Sequence, residues 1–199
     1  MNPVICNIAV SLDGFVAGPN QSVENPLGEG GERLHEWMFP TTTLEDAEVM
    51  KEIVDGFGAF IMGRNMFGPI RGEWTEPWRG WWGEDPPYHA PVFVLTNHAR
   101  EPLVMEGGTT FHFVTDGVES ALKQAREAAG DKPISVAGGA STVRQFLRAG
   151  LLDELNLHIS PVLLGAGERL LEDIGDVTFE PVRVIESPKT THVKYRVVR

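Results

Sequence analysis

Three short apolar runs constrain the fold of this chain more than anything else in it, because each stops at residues that expose backbone or carry polar reach. Residues 59–62 end at Gly63-Arg64, residues 92–96 end in Leu95-Thr96-Asn97, and residues 134–137 end at Gly138-Gly139. Runs this short, closed by turn formers, read as strands buried on both faces, the habit of a parallel sheet. The third run passes directly into a helical pattern over about 140–149 that Gly150 stops. Ligands of α/β sheets bind outside the carboxyl ends of parallel strands. As parallel neighbours, these three ends would converge on one crevice offering an arginine, a hydroxyl, an amide and glycine-exposed N–H groups. Each feature alone has a plainer reading: a tight turn at the glycines, a surface ion pair for Arg64, a capping hydroxyl for Thr96. Their joint occurrence favours a phosphorylated ligand, most naturally a dinucleotide held at a helix N-terminus.

The remaining elements follow from periodicity. Pro3 to Leu12 is continuously β-prone, and Thr43 with Asp46 opens a helix with apolar positions at Leu44, Ala47, Met50, Ile53, Val54 and Phe57, closed by Gly56 and Gly58. Asp116 and Glu119 predict the cap of a second helix over about 117–129. Leu155, Leu157 and Ile159 alternate with polar residues, as do segments 177–186 and 191–198, which predicts half-exposed antiparallel strands at the end. Residues 68–91 lack periodicity and hold Trp74, Trp78, Trp81 and Trp82, a segment that suits a substrate lid, a dimer surface or a packed loop. With no repeat and no linker, the expectation is one α/β domain over residues 1–199, a mixed and mostly parallel sheet flanked by helices.

Composition narrows the function. A formal net charge of −11 argues against nucleic acid or an anionic membrane as the main partner. The one cysteine, Cys6, lies in an apolar run, excludes an internal disulfide and reads as a small core residue rather than a nucleophile. No apolar run is long enough to span a bilayer and no signal-peptide pattern opens the chain, so a cytoplasmic protein is expected and the Asn20-Gln21-Ser22 sequon carries little weight. The six histidines show no paired ligand spacing, which predicts no metal site. G-x-G-x-x-G, the P-loop and G-x-S-x-G are all missing.

The segments NIAVSLDGFVAG (7–18), FIMGRNMF (60–67), VFVLTN (92–97), ISVAGGASTVRQFL (134–147) and LLDELNLHISPVLLGAGERLL (151–171), with the terminal strand pair, occur in an order that closely resembles the dihydrofolate reductase-like superfamily. The nearest branch is the reductase domain of the riboflavin-biosynthesis deaminase-reductase, in free-standing form. This resemblance implies a three-layer α/β/α sandwich, NADPH as cofactor, and hydride transfer to a pteridine- or pyrimidine-like ring. It places Ala9 and Val10 beside the nicotinamide and makes Asp13, Gly14, Phe15, Val16 and Ala17 the loop over it. Gly63, Arg64 and Asn65 would lie near the adenosine 2′-phosphate and pyrophosphate. Leu95, Thr96 and Asn97 would hold the adenosine side, and Gly138, Gly139, Ala140, Ser141 and Thr142 the pyrophosphate. Ser11 and the turn Pro161, Leu163, Leu164 and Gly165 would border the substrate.

The chain also departs from the family. Where dihydrofolate reductases carry an acid on the helix before the G-R strand, the register gives Ala47, flanked by Asp46 and Glu48. One cysteine rules out the zinc deaminase domain of the bifunctional enzymes. Asp13, Asp46, Glu48 or an ordered water are the candidate proton sources. The resemblance further implies a homodimer acting on a small heterocyclic substrate. A true dihydrofolate reductase, or a nucleotide-binding protein without turnover, are the alternatives.

Overall fold

The computed structural model describes residues 2–39, 43–69 and 71–198. Eleven strands occur in chain order: β1 (Val4–Ser11), β2 (Phe15–Ala17), β3 (Ala59–Gly63), β4 (Pro91–Leu95), β5 (Leu103–Val104), β6 (Thr110–Val114), β7 (Ile134–Gly138), β8 (Glu154–Ser160), β9 (Glu168–Arg169), β10 (Thr178–Glu186) and β11 (Thr191–Val198). The helices are α1 (Leu44–Val54), α2 (Arg64–Phe67), α3 (Val118–Ala129) and α4 (Ala140–Arg148), with a 3-10 turn at Gly31–His35. Nine strands make one sheet in the order β10-β11-β8-β1-β7-β3-β4-β6-β5, while β2 and β9 pair as a separate ribbon. The six strands from β8 to β6 run parallel, and β10, β11 and β5 supply the antiparallel edges.

Alternation along the strands divides the interior in two. On one face Val4, Cys6 and Val10 of β1 join Ile61, Phe93, Ile134, Val136 and Leu155 against Ala121, Leu122 and Ala125 of α3 and Val143, Phe146 and Leu147 of α4. Each fully buried side chain such as Phe146 contributes about 1.5–3 kcal/mol. On the other face Phe60, Met62, Val92, Val94 and Phe111 pack with Phe57 and Phe67, and Trp74, Trp78 and Trp82 close over them. Burial pushes the Cys6 thiol far above its usual range, in keeping with a core residue.

Two local expectations change. Two of the apolar positions read along α1 lie off its inward face: Leu44 is 83% exposed and Val54 40%, while Asp46 and Val49 are buried. The capping pair holds as read, since the Asp46 N–H donates to Thr43 Oγ1 at 3.1 Å and that hydroxyl donates to Asp46 Oδ2 at 3.0 Å. A polar partner deeper in the fold, rather than apolar periodicity, sets the rotation of this helix. In α3 the residue before the first turn is Gly117, and Asp116 accepts from the Ser120 hydroxyl instead of capping the backbone.

Three strand ends meet as the sequence suggested, because β7, β3 and β4 are adjacent and parallel. A Cβ on Gly63 would lie 2.5 Å from Thr142 Oγ1 and 3.8 Å from both the Gly138 oxygen and the Gly139 nitrogen. Gly63 is therefore glycine for close approach. We expect Gly63→Ala to destabilise the protein by about 1–3 kcal/mol, and Gly63→Ala with Thr142→Ala to recover most of that loss. Urea denaturation of the three variants and the parent measures the coupling.

Candidate active site

The converging ends open into a cleft of about 660 Å³. Gly63, Arg64, Asn65, Leu95, Thr96, Asn97, Gly139, Ala140, Ser141 and Thr142 line it, with Ala9, Val16 and Ala17 at its other end. Gly138 sits at φ +121°, where glycine is favoured, and its peptide bond to Gly139 is cis. Space around Gly139 is open, with no heavy atom within 4 Å of where a Cβ would be. Gly139 precedes α4 without a side chain to cap it; the Thr142 and Val143 N–H groups bond back to its carbonyl, and Ala140 and Ser141 in the first turn line the cleft. An anion is the natural partner for such a terminus.

Arg64 is tied down. Its Nη1 donates to Thr96 Oγ1 and its Nη2 to the Gly72 carbonyl, each at 3.0 Å, and the guanidinium lies 3.3 Å from the centre of the Trp74 ring. Its Nε is buried without a partner. Burial first, then the neighbouring charges of Arg71 and Arg100, lower its pKa against the opposing pull of Glu73. A chain of net charge −11 thus gathers three neighbouring guanidinium groups, of which Arg64 and Arg71 line the cleft. Arg71, which donates to the Gly68 carbonyl at 3.1 Å, also lines the cleft.

Asp13 is not among the residues lining the cleft, and its carboxylate is engaged elsewhere. Its Oδ1 accepts from the Ser11 hydroxyl at 2.6 Å and the Leu164 N–H at 3.1 Å, and its Oδ2 from the Gly165 N–H at 2.7 Å. The Ser11 bond above all, with the two backbone N–H groups, outweighs desolvation and holds the carboxyl down at about 2. Ser11 also accepts from the Phe15 N–H, and Arg169 donates to the Asp13 carbonyl while its guanidinium lies 4.3 Å over the Phe15 ring. Asp13 is a clasp joining the loop after β1 to the turn after β8.

Several other residues stand apart from the cleft lining. Val10 faces the α3–α4 core, and Gly14, Phe15, Ser11, Pro161, Leu163, Leu164 and Gly165 belong to the clasped loops. Glu48 points to solvent on the outer side of α1. Asp46, 1% exposed, is held by His192, whose Nε2 lies 2.9 Å from Asp46 Oδ1. The acid of α1 is thus Asp46 rather than the register position Ala47, and it lies behind the cleft rather than in it.

Sequence reading missed Leu27, His35 and Arg71 as wall residues, and left Trp81 and Trp82 open between a lid, a dimer surface and a packed loop. Trp74 and Trp78 pack on the core and donate to the His98 and Phe67 carbonyls at 2.8 Å, Trp82 both packs on the core and lines the cleft, and Trp81 lines the cleft. Tryptophan density was the available signal. Nothing in the local sequence marked His35.

A mixed sheet with helices on both faces and a ligand cleft at the strand ends is the dihydrofolate reductase-like class of fold. Dihydrofolate reductase from Enterococcus faecalis, solved with NADP(H), superposes with a TM-score of 0.53 at 15% identity over 98% of this chain and 96% of that one. A putative riboflavin biosynthesis protein from Shewanella sp. PV-4 gives 0.65 at 23% identity over the full length of both chains. The riboflavin biosynthesis reductase Rib7 of Saccharomyces cerevisiae gives 0.61 at 14% identity, covering 99% and 90%. The uncharacterized protein YyaP of Bacillus subtilis strain 168 is 26% identical over 176 residues, 86% of this chain and 81% of its own. The family model of the RibD C-terminal domain matches residues 2–194, and the chain belongs to that family.

The clasp predicts a pH window. A depressed carboxyl pKa means the interaction is present at neutral pH, persists through the ordinary carboxylate range, and is lost only as pH falls towards about 2. In Asp13→Ala, amide hydrogen exchange at Leu164 and Gly165 should accelerate by about tenfold or more at neutral pH, while core strands stay protected. Exchange followed by NMR checks both.

Proposed function

We propose that this protein is an NADPH-dependent reductase that passes a hydride to an unsaturated pteridine- or pyrimidine-like ring. The observation that carries the reading is the single cleft into which three parallel strand ends deliver an uncapped helix N-terminus, a glycine with open space above it, and Arg64. The bound nicotinamide would supply the hydride. The residues fit such a cofactor: Gly139 to Thr142 for the pyrophosphate, Thr96 and Asn97 for the adenosine side, Arg64 and Arg71 for the 2′-phosphate, and Ala9 for the nicotinamide. The family and its riboflavin-pathway neighbours support the reaction class. NADPH oxidation against a panel of pterins, pyrimidines, flavins and quinones tests it, and no oxidation with any of them overturns it. Dihydrofolate should be a poor acceptor, because no carboxylate of α1 is among the residues lining the cleft to hold a pterin ring.

The cofactor assignment is tested separately. Arg64 spends both terminal nitrogens on Thr96 and Gly72, so Arg71 is the freer hand for a phosphate. A charged hydrogen bond contributes about 1.5–3 kcal/mol, so Arg71→Gln and Arg64→Gln should each weaken NADPH by roughly 10- to 100-fold and leave NADH nearly unchanged. Fluorescence titration with both cofactors decides it. Equal losses for the two cofactors, or none, would contradict the assignment.

We also propose a homodimer through β10. This nine-residue strand has no neighbour on its outer side in the sheet, and its Val182 and Val184 are 50% and 62% exposed. A long edge with exposed valines invites pairing. Light scattering should show a dimer in the parent at micromolar concentration, and Val184→Lys should shift it toward monomer.

A further inference from the structure

Behind the cleft lies a buried polar chain that the hydride-transfer reading leaves unused. Asp46 Oδ1 stands 2.9 Å from His192 Nε2, and His192 Nδ1 stands 2.8 Å from His158 Nδ1. All three side chains are at least nine-tenths buried, with exposures of 1%, 5% and 3%. Trp37, itself 1% exposed, covers both imidazoles, with ring centroids 5.2 Å from His158 and 4.8 Å from His192. Three elements supply the chain: α1 brings Asp46, β11 His192 and β8 His158.

The far end of the chain is unsatisfied. His158 Nε2 is buried without a hydrogen-bond partner, and so is His35 Nδ1. Buried polar nitrogens rarely go unpaired unless they serve something. His158 is the register partner of Ala9 on the neighbouring parallel strand, and Ala9 lines the cleft. His35 also lines the cleft, and it stands near enough for its charge to act on His158.

We propose that Asp46, His192 and His158 form a proton relay, opening on the cleft at the wall built by Ala9 and His35, that supplies the proton accompanying hydride transfer. The proposal rests on the reductase reading above for its use, though the relay itself is a property of these three side chains.

Proton counting makes the chain work in one direction at a time. A hydrogen bond between two Nδ1 atoms holds one proton, so one imidazole donates and the other accepts. In the loaded state His192 is an imidazolium, its Nε2–H on the Asp46 carboxylate and its Nδ1–H on His158 Nδ1. His158 then carries its own proton at Nε2. When Nε2–H leaves His158 for the cleft, the Nδ1 proton crosses from His192 to His158. His158 stays neutral throughout and changes tautomer, while His192 becomes neutral and keeps Nε2–H on Asp46. One proton leaves, no electrons move, and the resting state returns when a proton re-enters at His158 Nε2 and the Nδ1 proton crosses back to His192.

The surroundings suit this. Burial, with the charges of His192 and His35, pushes His158 down to about 3, so it passes a proton without holding a charge. Burial acts to raise Asp46, but hydrogen bonds from His192, Ser187 and Thr43, with the His192 charge, prevail and keep it below its ordinary value. A second cavity of about 10 Å³, near the volume one water needs, touches both imidazoles. The charged groups around it are Glu52 from α1, Arg183 from β10 and Lys194 from β11. Arg183 pairs with Glu52 and Lys194 with Glu154, so neither cation faces the imidazoles unneutralised.

Nitrogen NMR of histidine-labelled protein, titrated from about pH 4 to about pH 9, tests the relay without any substrate. His158 should remain neutral and exchange its Nε2–H tautomer for the Nδ1–H form in step with loss of the proton from His192. A purely structural chain would keep one His158 tautomer throughout, and that result overturns the proposal. Asp46→Asn keeps an acceptor for His192 Nε2 but removes the charge, and should freeze His158 in the Nδ1–H form with the fold intact by circular dichroism. With whichever panel acceptor supports turnover, His192→Gln should slow kcat by about 100-fold, abolish its high-pH fall-off, and leave NADPH binding as in the parent. An unchanged pH profile in His192→Gln counts against the relay. If no panel acceptor is reduced, the reductase reading fails, while the tautomer titration still decides the relay.

Discussion

The pairing of β1 between β7 and β8 is the constraint on which the site depends. In a parallel ladder, register partners present side chains to the same face, so setting Ala9 beside His158 sets the cleft wall beside the buried polar chain. The same ladder puts Ser11 opposite Ser160 at the point where the chain leaves the sheet. There the Ser11 hydroxyl starts the Asp13 clasp, and the Ser160 hydroxyl donates to the Leu34 carbonyl at 2.9 Å. A slip of one residue would turn Ala9 into the α3–α4 core and Val10 into the cleft. Register thus settles the nature of the wall before any loop is placed.

Charge is organised against the net balance of the molecule. At long range the chain repels anions, yet Arg64, Arg71 and Arg100 are neighbours, the first two line the cleft, and the aromatic face of Trp74 holds both Arg64 and Arg100. Arginines packed this closely raise one another's free energy, and stacking on an indole offsets part of that cost. A ligand carrying negative charge would relieve the rest. The acidic surface elsewhere then acts as a filter, because only a ligand that reaches contact distance experiences the local field.

Much of this was legible in the sequence because backbone requirements leave strong marks. Short apolar runs gave β3, β4 and β7, and Gly63, Gly139 and Thr96 at their ends gave the cleft, since glycine and small polar residues at such joints have few other uses. The rotation of α1 was not legible. Apolar spacing pointed Leu44 inward, whereas the burial of Asp46 is decided by His192, 146 residues away in sequence. His158 and His192 themselves look like ordinary members of alternating strands, and only the antiparallel pairing of β8 with β11 places them opposite one another. His35 lies on a 3-10 turn with no periodicity to read. Long-range polar partnerships leave no local signature, and here the polar chain consists of little else.

A core built for stability alone would not contain Asp46, His192 and His158. Isolating a carboxylate and two imidazoles from water is costly, and well-packed apolar side chains in their place are often neutral or better. Retaining them under Trp37 makes sense if the low-dielectric surroundings are the purpose. Dry walls strengthen the Asp46–His192 and His192–His158 bonds and prevent protons from escaping sideways. The Trp37 indole N–H is also buried without a partner, which adds a third unsatisfied nitrogen to those of His35 and His158. Trp37 packs on His158, and His35 lines the cleft, so the unsatisfied nitrogens and the arginines divide the neighbourhood of the site by chemistry. In the proposed reading the strand ends and arginines would meet the anionic part of a ligand, and the histidine side the part that must accept a proton.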